Sequence, residues 1–197
     1  MIHGYYATIS YTDFLIGKIL RELKKQDLEK QTIVILVSDH GYNLQEHTQW
    51  AKFTNYDTST RVPLIIYNPF SKIKGTANGL TSLVDIYPTL VEICKLKAPK
   101  DQLDGVSLVS ILNNPNLQGK KYVFIKSGNG YTLKTRDFSY TEFITPKDNL
   151  TVNRMLYDHR SNNYENINVI NHEEFEDISN ELRLTLHSEF KKNIEGE

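Results

Sequence analysis

Apolar residues recur along this chain with two different periods. Residues 5–25 place apolar side chains three to four positions apart and end in lysines, a pattern that predicts a helix. Residues 32–37 and 62–67 are β-branched and aliphatic runs that predict two strands, the first of them a buried strand of a parallel sheet. Shorter helices are predicted around Pro88, which would lie near the first turn, and over residues 104–112. The first half of the chain is therefore expected to be α/β.

The pattern changes after Asn113-Asn114-Pro115. Short apolar runs at 122–125, 131–136, 140–143 and 155–157 are separated by Gly, Asn and Asp, which predicts an antiparallel meander. A last helix is predicted over residues 173–192, packed against this small sheet. We therefore expect two domains, an α/β part over residues 1–115 and a small antiparallel sheet with a terminal helix over residues 116–197.

Composition excludes several classes of protein. With 39% hydrophobic and 24% charged residues in 197, the chain is typical of an ordinary globular protein. Its net charge of −1 predicts no general attraction to nucleic acid, and no apolar run reaches the length of a membrane span. The first residues lack the charged and apolar regions of a signal peptide. Cys94 is the only cysteine, so no intrachain disulfide can form, and it is expected to be a small buried residue of a helix.

The residues with the clearest chemistry follow the first predicted strand. Ser38-Asp39-His40-Gly41 comes directly after it, and ligands of open α/β sheets bind beyond the carboxyl ends of strands. The Asp39 carboxylate and the His40 imidazole there indicate metal binding or acid–base chemistry. Lys52 adds a cation suited to an anionic substrate. For the tetrapeptide alone, a strand that ends in a solvated turn stays an alternative.

The stretch from Tyr42 to Arg61 has no clear periodicity. Loops of about this length inside a compact domain are usually functional or disordered. Four aromatic residues in it favour order, so we expect an active-site loop.

Seven segments, in the same order, resemble the sulfatases, and most closely the iduronate sulfatase-like members. They are residues 5–13, 38–47, 50–55, 60–65, 84–90, 104–108 and 156–160. The resemblance implies the C-terminal portion of an alkaline phosphatase-like fold, a parallel sheet flanked by helices followed by the small antiparallel sheet. It also implies a sulfuric ester hydrolase.

Such enzymes use a formylglycine nucleophile, made from Cys or Ser in a Cys/Ser-x-Pro/Ala-x-Arg motif, together with a divalent ion that is usually calcium. That motif and the first Asp-Asp pair of metal ligands are absent from the 197 residues. Two ligands alone leave most of the positions around a calcium ion to water. We therefore expect a fragment that is inactive on its own and that requires the missing N-terminal part of the same domain.

The resemblance assigns a role to each candidate residue. Asp39 and His40 match the second pair of metal ligands, and the family favours calcium, whereas a nitrogen ligand by itself suggests manganese or zinc. Lys52 matches the lysine that contacts the sulfate and stabilises the leaving alkoxide. His47 is a candidate catalytic or substrate contact, with a structural role equally open. Gln45 and Thr48 replace the glycines of the family pattern and resist the backbone angles that glycine permits.

Two alternatives to a sulfatase remain at this point. Phosphonate monoester and phosphodiester hydrolases of the same superfamily also carry Ser-Asp-His-Gly, often with manganese, although Trp50-Ala51-Lys52 favours sulfate. The second alternative is a non-catalytic remnant. The family implies a sulfated small molecule or carbohydrate as substrate and a periplasmic, extracellular or lysosome-like location. His159 and Arg160 are expected to hold the small sheet, and His3, His172 and His187 to lie on the surface.

Overall fold

The computed structural model of the chain describes residues 1–98, 102–147, 150–161 and 164–194. Its helices and strands follow the predicted order closely. In the first half they are α1 (Ile2–Lys25), β1 (Val34–Val37), β2 (Asn43–Leu44), β3 (Trp50–Ala51), α2 (Asp57–Thr60), β4 (Leu64–Tyr67), α3 (Ile86–Ile93) and α4 (Val109–Asn113). In the second half they are β5 (Val123–Ser127), β6 (Gly130–Lys134), β7 (Phe138–Ile144), β8 (Thr151–Asp158) and α5 (Glu176–Ile194).

Strands β1 and β4, the two strands predicted in the first half, pair with each other in an antiparallel orientation. Val34 lies opposite Tyr67, and Val37 lies opposite Leu64. The parallel pairing expected for this sheet is therefore not found between β1 and β4. A parallel pair requires a crossover connection of a dozen or more residues, usually an α-helix. Residues 38–63 are long enough for a crossover, but their only α-helix is the four-residue α2, and the strands pair as an antiparallel ladder.

Apolar side chains of the first half are more exposed than predicted. Leu36 and Val37 at the end of β1 are 38% and 39% exposed, so the prediction of a fully buried strand is wrong for the described residues. Helix α1 has no buried residue along its 24 positions. Cys94, predicted to be buried, is exposed, and it lies at the C-cap of α3, one position beyond the last helical residue.

The second half forms the predicted meander, a four-stranded antiparallel sheet in the order β5-β6-β7-β8. Helix α5 packs on it through Leu182 and Leu186, which are 3% and 2% exposed. The residues they cover include Leu133, Tyr140 and Leu156, all completely buried. This is the main hydrophobic core of the described residues.

A carboxylate lies inside this sheet. The Glu142 side chain is fully buried and accepts hydrogen bonds from the Tyr140 hydroxyl at 2.6 Å, His187 Nε2 at 2.8 Å and the Thr151 hydroxyl at 2.9 Å. Burial alone raises the pKa of Glu142, but these donors outweigh it and hold the pKa below its ordinary value. Burial, with the bond to Glu142, raises the pKa of Tyr140. His187 is thus a partner of a buried acid and not only a surface residue.

The long loop between β1 and β4 contacts the four-stranded sheet. Asn55, 6% exposed, donates to the Gly130 carbonyl at 3.1 Å and to the Thr132 hydroxyl at 3.0 Å in β6. Among the helices of the described ranges, none combines the length and apolar character needed to cross a bilayer. The division into two domains near residue 115 stays a prediction.

Candidate active site

The turn after β1 is fixed by short-range hydrogen bonds. The Ser38 hydroxyl donates to the His40 carbonyl at 2.7 Å, and the His40 amide donates to Asp39 Oδ1 at 3.0 Å. These bonds take the place of the interstrand hydrogen bonds of the sheet at the point where the backbone changes direction. Asp39 and His40 are therefore held beyond the carboxyl end of β1, as the sequence predicts.

Gly41 is required because the backbone of α2 passes directly over it. Its amide donates to the Ser59 carbonyl at 2.8 Å. A Cβ atom at this position would lie 2.0 Å from the Thr58 carbonyl oxygen, closer than any contact that two atoms tolerate. Glycine thus lets the turn pack against α2, which is the element that orients the rest of the loop.

The imidazole of His40 has a defined tautomer. Its Nδ1 lies 2.7 Å from the Gly41 carbonyl oxygen, and since a carbonyl only accepts, Nδ1 carries the proton. Nε2 therefore presents a lone pair. The Lys52 ammonium donates to this lone pair at 2.8 Å, and Asp39 Oδ2 lies 3.5 Å from the same nitrogen.

The three side chains that the sequence singles out here lie together. The Asp39 side chain is 84% exposed and that of His40 is 34% exposed, so the group faces solvent in the described residues. A carboxylate oxygen, an imidazole lone pair and an ammonium group around one point can bind a cation and an anion side by side. The close approach of these three groups therefore defines what the site can bind.

Asn43 holds the loop that carries Lys52. Its side chain is completely buried, and Nδ2 donates to the Ala51 carbonyl and to the Ser59 hydroxyl, both at 2.7 Å. Oδ1 accepts from the Thr58 hydroxyl. Sequence reasoning did not single out Asn43, because an asparagine in an aperiodic loop has no pattern that separates it from a solvated one.

The hairpin of β2 and β3 has a strained backbone. Gln45, His47, Thr48 and Ala51 all have positive φ, at 92°, 52°, 59° and 70°. Residues with a side chain reach this region at a cost of order 1–3 kcal/mol each, and such strain clusters at functional sites. Gln45 and Thr48 thus adopt the positive-φ conformation that favours glycine, the residue that the family pattern has at both positions.

His47 occupies a different part of this loop from the other three candidates. Its ring stacks on Tyr56, with ring centroids 4.0 Å apart and planes 14° from parallel. No hydrogen bond or ion pair recorded within the described ranges connects it to Asp39, His40 or Lys52. The stacking supports a structural role, and a contact to substrate stays a prediction.

Comparison with known proteins identifies the family. Residues 1–95 match the Sulfatase family, a range that contains Asp39, His40, His47 and Lys52. Human arylsulfatase K is 32% identical over 197 aligned residues, which cover 93% of this chain and 36% of that protein. The chain spans about a third of the length of such curated relatives, from 30% for mouse arylsulfatase K to 36% for the human protein.

Solved structures show the same fold. A protein determined in complex with its substrate D-glucosamine-2-N,6-O-disulfate superposes with a TM-score of 0.83 at 25% identity, covering 94% of this chain and 39% of that one. The phosphonate monoester hydrolase of Agrobacterium radiobacter superposes with a TM-score of 0.75, also at 25% identity, covering 94% and 40%. The predicted α/β class is confirmed. On its sequence and its fold, the chain belongs to the sulfatase family of the alkaline phosphatase-like superfamily.

Proposed function

We propose that the protein to which this chain belongs hydrolyses sulfate esters, with Asp39, His40 and Lys52 in its active site. One observation carries the proposal. In a member of the sulfatase family, Lys52 Nζ lies 2.8 Å from His40 Nε2, which lies 3.5 Å from Asp39 Oδ2. Anion-binding and cation-binding groups thus meet beyond the end of a strand, where α/β proteins bind ligands.

Asp39 and His40 fit a divalent metal, which sulfatases generally use. Two adjacent ligands at right angles, each about 2.4 Å from one ion, lie about 3.4 Å apart. The 3.5 Å between Asp39 Oδ2 and His40 Nε2 agrees with this spacing. Family resemblance favours calcium, and the nitrogen ligand keeps manganese and zinc as alternatives. Held by these two residues, a cation would offset the negative charge on the sulfate oxygens.

Lys52 is proposed to bind the sulfate and stabilise the leaving group. Its ammonium has three donors, and the one that points at His40 Nε2 would turn away when an ion takes that lone pair. The others can reach a sulfate oxygen and the ester oxygen, on which negative charge grows as the sulfur–oxygen bond breaks. The alcohol then leaves with a proton that the Lys52 ammonium donates, and the bond broken at sulfur is replaced by the bond to the nucleophile. The nucleophile, a formylglycine, lies outside the 197 residues in this proposal, so the isolated chain is expected to be inactive.

His47 is proposed to contact the substrate next to this group. Tyr56 fixes the plane of its ring by stacking, so the ring edge stays available to a ligand. His47 would therefore select the alcohol part of the ester, and its replacement is expected to raise KM more than it lowers kcat.

The rest of the catalytic domain is the proposed partner of this chain. Along α1, Phe14 and Ile19 are 50% and 69% exposed, and Ile65 in β4 is 59% exposed. Apolar surface on this scale is unusual for a free monomer. Since the chain spans about a third of its curated relatives, the remaining segment is the occupant that we propose for this surface.

A sulfated carbohydrate is the proposed substrate class. The solved relative bound to D-glucosamine-2-N,6-O-disulfate supports it. A phosphonate ester is the second candidate, because a phosphonate monoester hydrolase shares the fold and His40 supplies the nitrogen ligand that suits manganese.

The test uses the complete protein encoded with this chain. Turnover of 4-nitrophenyl sulfate is compared with that of a phenyl phosphonate ester, and a panel of sulfated mono- and disaccharides follows. We expect the sulfate ester to be preferred and Lys52→Ala to lower kcat about 10²–10³-fold, as the loss of one transition-state donor does. Lys74→Ala, a change of another exposed lysine, is the matched control and should leave kcat unchanged.

Three other outcomes would contradict the proposal. A preference for the phosphonate ester would favour the second candidate function. No turnover of either ester by the complete protein would favour a non-catalytic remnant. Equal activity of the Lys52→Ala and Lys74→Ala variants would show that Lys52 has no role in the active site.

A further inference from the structure

A second group of metal-ligating side chains lies between the long loop and the small sheet. It contains Asp57 at the start of α2, His159 directly after β8, and Glu165 in the following segment. One ligand atom from each residue lies within 4.8 Å of the other two. These residues come from three separate stretches of the chain, and none of them belongs to the site around Asp39.

Two atoms of this group are buried without a hydrogen-bond partner. They are His159 Nε2 and Glu165 Oε1, on side chains that are 8% and 2% exposed. Leaving a polar atom unsatisfied in the interior costs about 1–3 kcal/mol. One ligand atom of Asp57 lies within 4.8 Å of a ligand atom of each of the other two residues. An unsatisfied nitrogen and an unsatisfied oxygen together therefore indicate an absent ligand.

The separation of these two atoms suits a shared ion better than a direct bond. His159 Nε2 and Glu165 Oε1 are 3.4 Å apart. N–H···O hydrogen bonds are about 2.7–3.2 Å long. Two ligands on a tetrahedral zinc ion, with bonds of about 2.0–2.1 Å, lie about 3.3–3.4 Å apart. The observed distance matches the second geometry.

The surroundings hold the ligands in place. Glu165 Oε2 accepts the Asp57 backbone amide at 2.7 Å, which leaves Oε1 directed at His159. Glu165 has a φ of 52°, so its position is maintained against backbone strain. Lys134 pairs with Asp57 Oδ1, and a carboxylate has a second oxygen for another partner.

The charges of the group also favour a cation. Two carboxylates and one ammonium leave one negative charge in a region that is largely closed to water. A divalent ion or a proton on His159 could compensate it. The 3.4 Å separation and the third ligand, Asp57, favour the ion, since a proton on His159 would stabilise only its contact with Glu165.

We propose that Asp57, His159 and Glu165 bind a structural zinc ion that fastens the active-site loop to the small sheet. His nitrogen and Asp or Glu oxygen are ligands that zinc accepts, and water would complete a tetrahedral set around these three. Because Asp57 begins α2, and α2 packs on Gly41, the ion would stabilise the position of the Asp39-His40 turn. The inference does not depend on the proposed hydrolase activity.

The test measures zinc binding to the whole 197-residue chain. A His40→Gln background removes the other candidate metal site, and the chain is freed of metal before titration with zinc chloride. We expect one equivalent of zinc, a rise in Tm, and an X-ray absorption spectrum with one nitrogen and about three oxygens at about 2.0–2.1 Å. His159→Gln should abolish the binding, whereas His3→Gln, on the exposed α1, should keep it.

A second variant guards against loss of the fold. Glu165→Gln keeps an acceptor for the Asp57 amide but removes the charged ligand, and circular dichroism reports whether either variant is folded. Zinc binding that survives in folded His159→Gln would overturn the proposal. So would stabilisation of the chain by mild acid with no response to zinc, because a proton would then connect His159 and Glu165.

Discussion

Replacing Asn43 tests whether a single buried amide positions the loop that carries Lys52. In Asn43→Ala, the Ala51 carbonyl loses its donor at 2.7 Å and the Thr58 hydroxyl loses its acceptor. Ser59 keeps a partner, because the Thr54 hydroxyl still donates to it at 2.8 Å. Each newly unsatisfied group costs about 1–3 kcal/mol, nearer the lower value where it is partly exposed. With the small cavity, the expected loss of unfolding free energy is about 2–4 kcal/mol.

Asn43→Asp is a stricter form of the same test, because aspartate has nearly the same shape as asparagine. The new carboxylate still accepts from Thr58, but it places an oxygen against the Ala51 carbonyl oxygen and a charge inside the loop. We therefore expect it to destabilise the chain at least as much as Asn43→Ala. Gln49→Ala, an exposed change in the same hairpin, should stay within about 0.5 kcal/mol of the parent chain.

Urea unfolding provides the measurement, with two probes. Trp50, the only tryptophan, pairs with Leu44 in the hairpin and is 40% exposed, so its emission reports on the loop. Circular dichroism reports on the whole chain. We expect the Asn43 variants to shift Trp50 emission to the red and to lower the unfolding midpoint. An unchanged emission with a free-energy change below about 0.5 kcal/mol would refute the role assigned to Asn43.

Three further changes test other parts of the structure. Gln45→Gly should stabilise the chain by about 1 kcal/mol by relieving its φ of 92°, whereas Gln49→Gly, at a φ of −101°, should destabilise it; equal effects in thermal melts would contradict the strain. Although burial raises it, the pKa of Glu142 is held below 4.5 by hydrogen-bond donors, so its contribution to stability is complete above about pH 4.5 and is lost as the pH falls through the folded pKa. Urea unfolding between pH 7 and pH 3 should show a shallower decline for Glu142→Gln, and an identical decline would argue against the network. Asp85→Ala should lower the free energy of unfolding by about 3–5 kcal/mol, because fully buried Asp85 pairs with Lys120 at 2.6 Å, and Asp85→Asn should lower it less. A Tm of Asp85→Asn at or below that of Asp85→Ala would contradict this.

Elements with strong periodicity could be predicted from the sequence. Helix α1, predicted over residues 5–25, spans Ile2–Lys25, and the four-stranded meander appears in the predicted order. The orientation of β1 relative to β4 could not be predicted in this way. Periodicity indicates which face of a strand is buried, but the direction of pairing depends on the connection between strands.

The candidate site could be predicted only where the chemistry is local. Asp39 and His40 are adjacent in sequence, and Lys52 follows within the same loop, so their convergence needs few assumptions. Asn43, Asn55 and Glu165 could not be found, because each depends on partners far away in sequence or on an irregular backbone. Glu165, for example, contacts Asp57 across 108 positions.

The exposed apolar surface and the incomplete metal site have a common explanation in the proposed partner. In the proposed function, Asp39 and His40 would supply two ligands, whereas a calcium ion takes six to eight, so another segment would provide further ligands in place of water. The same segment would also cover α1, where full burial of an exposed apolar side chain contributes about 1.5–3 kcal/mol and partial burial proportionally less. Tyr42, close after Gly41, lies 5.1 Å from the Tyr5 ring in α1, so the two surfaces are neighbours. A segment that docks on α1 is thus placed to complete the ligand set beside the Asp39-His40 turn.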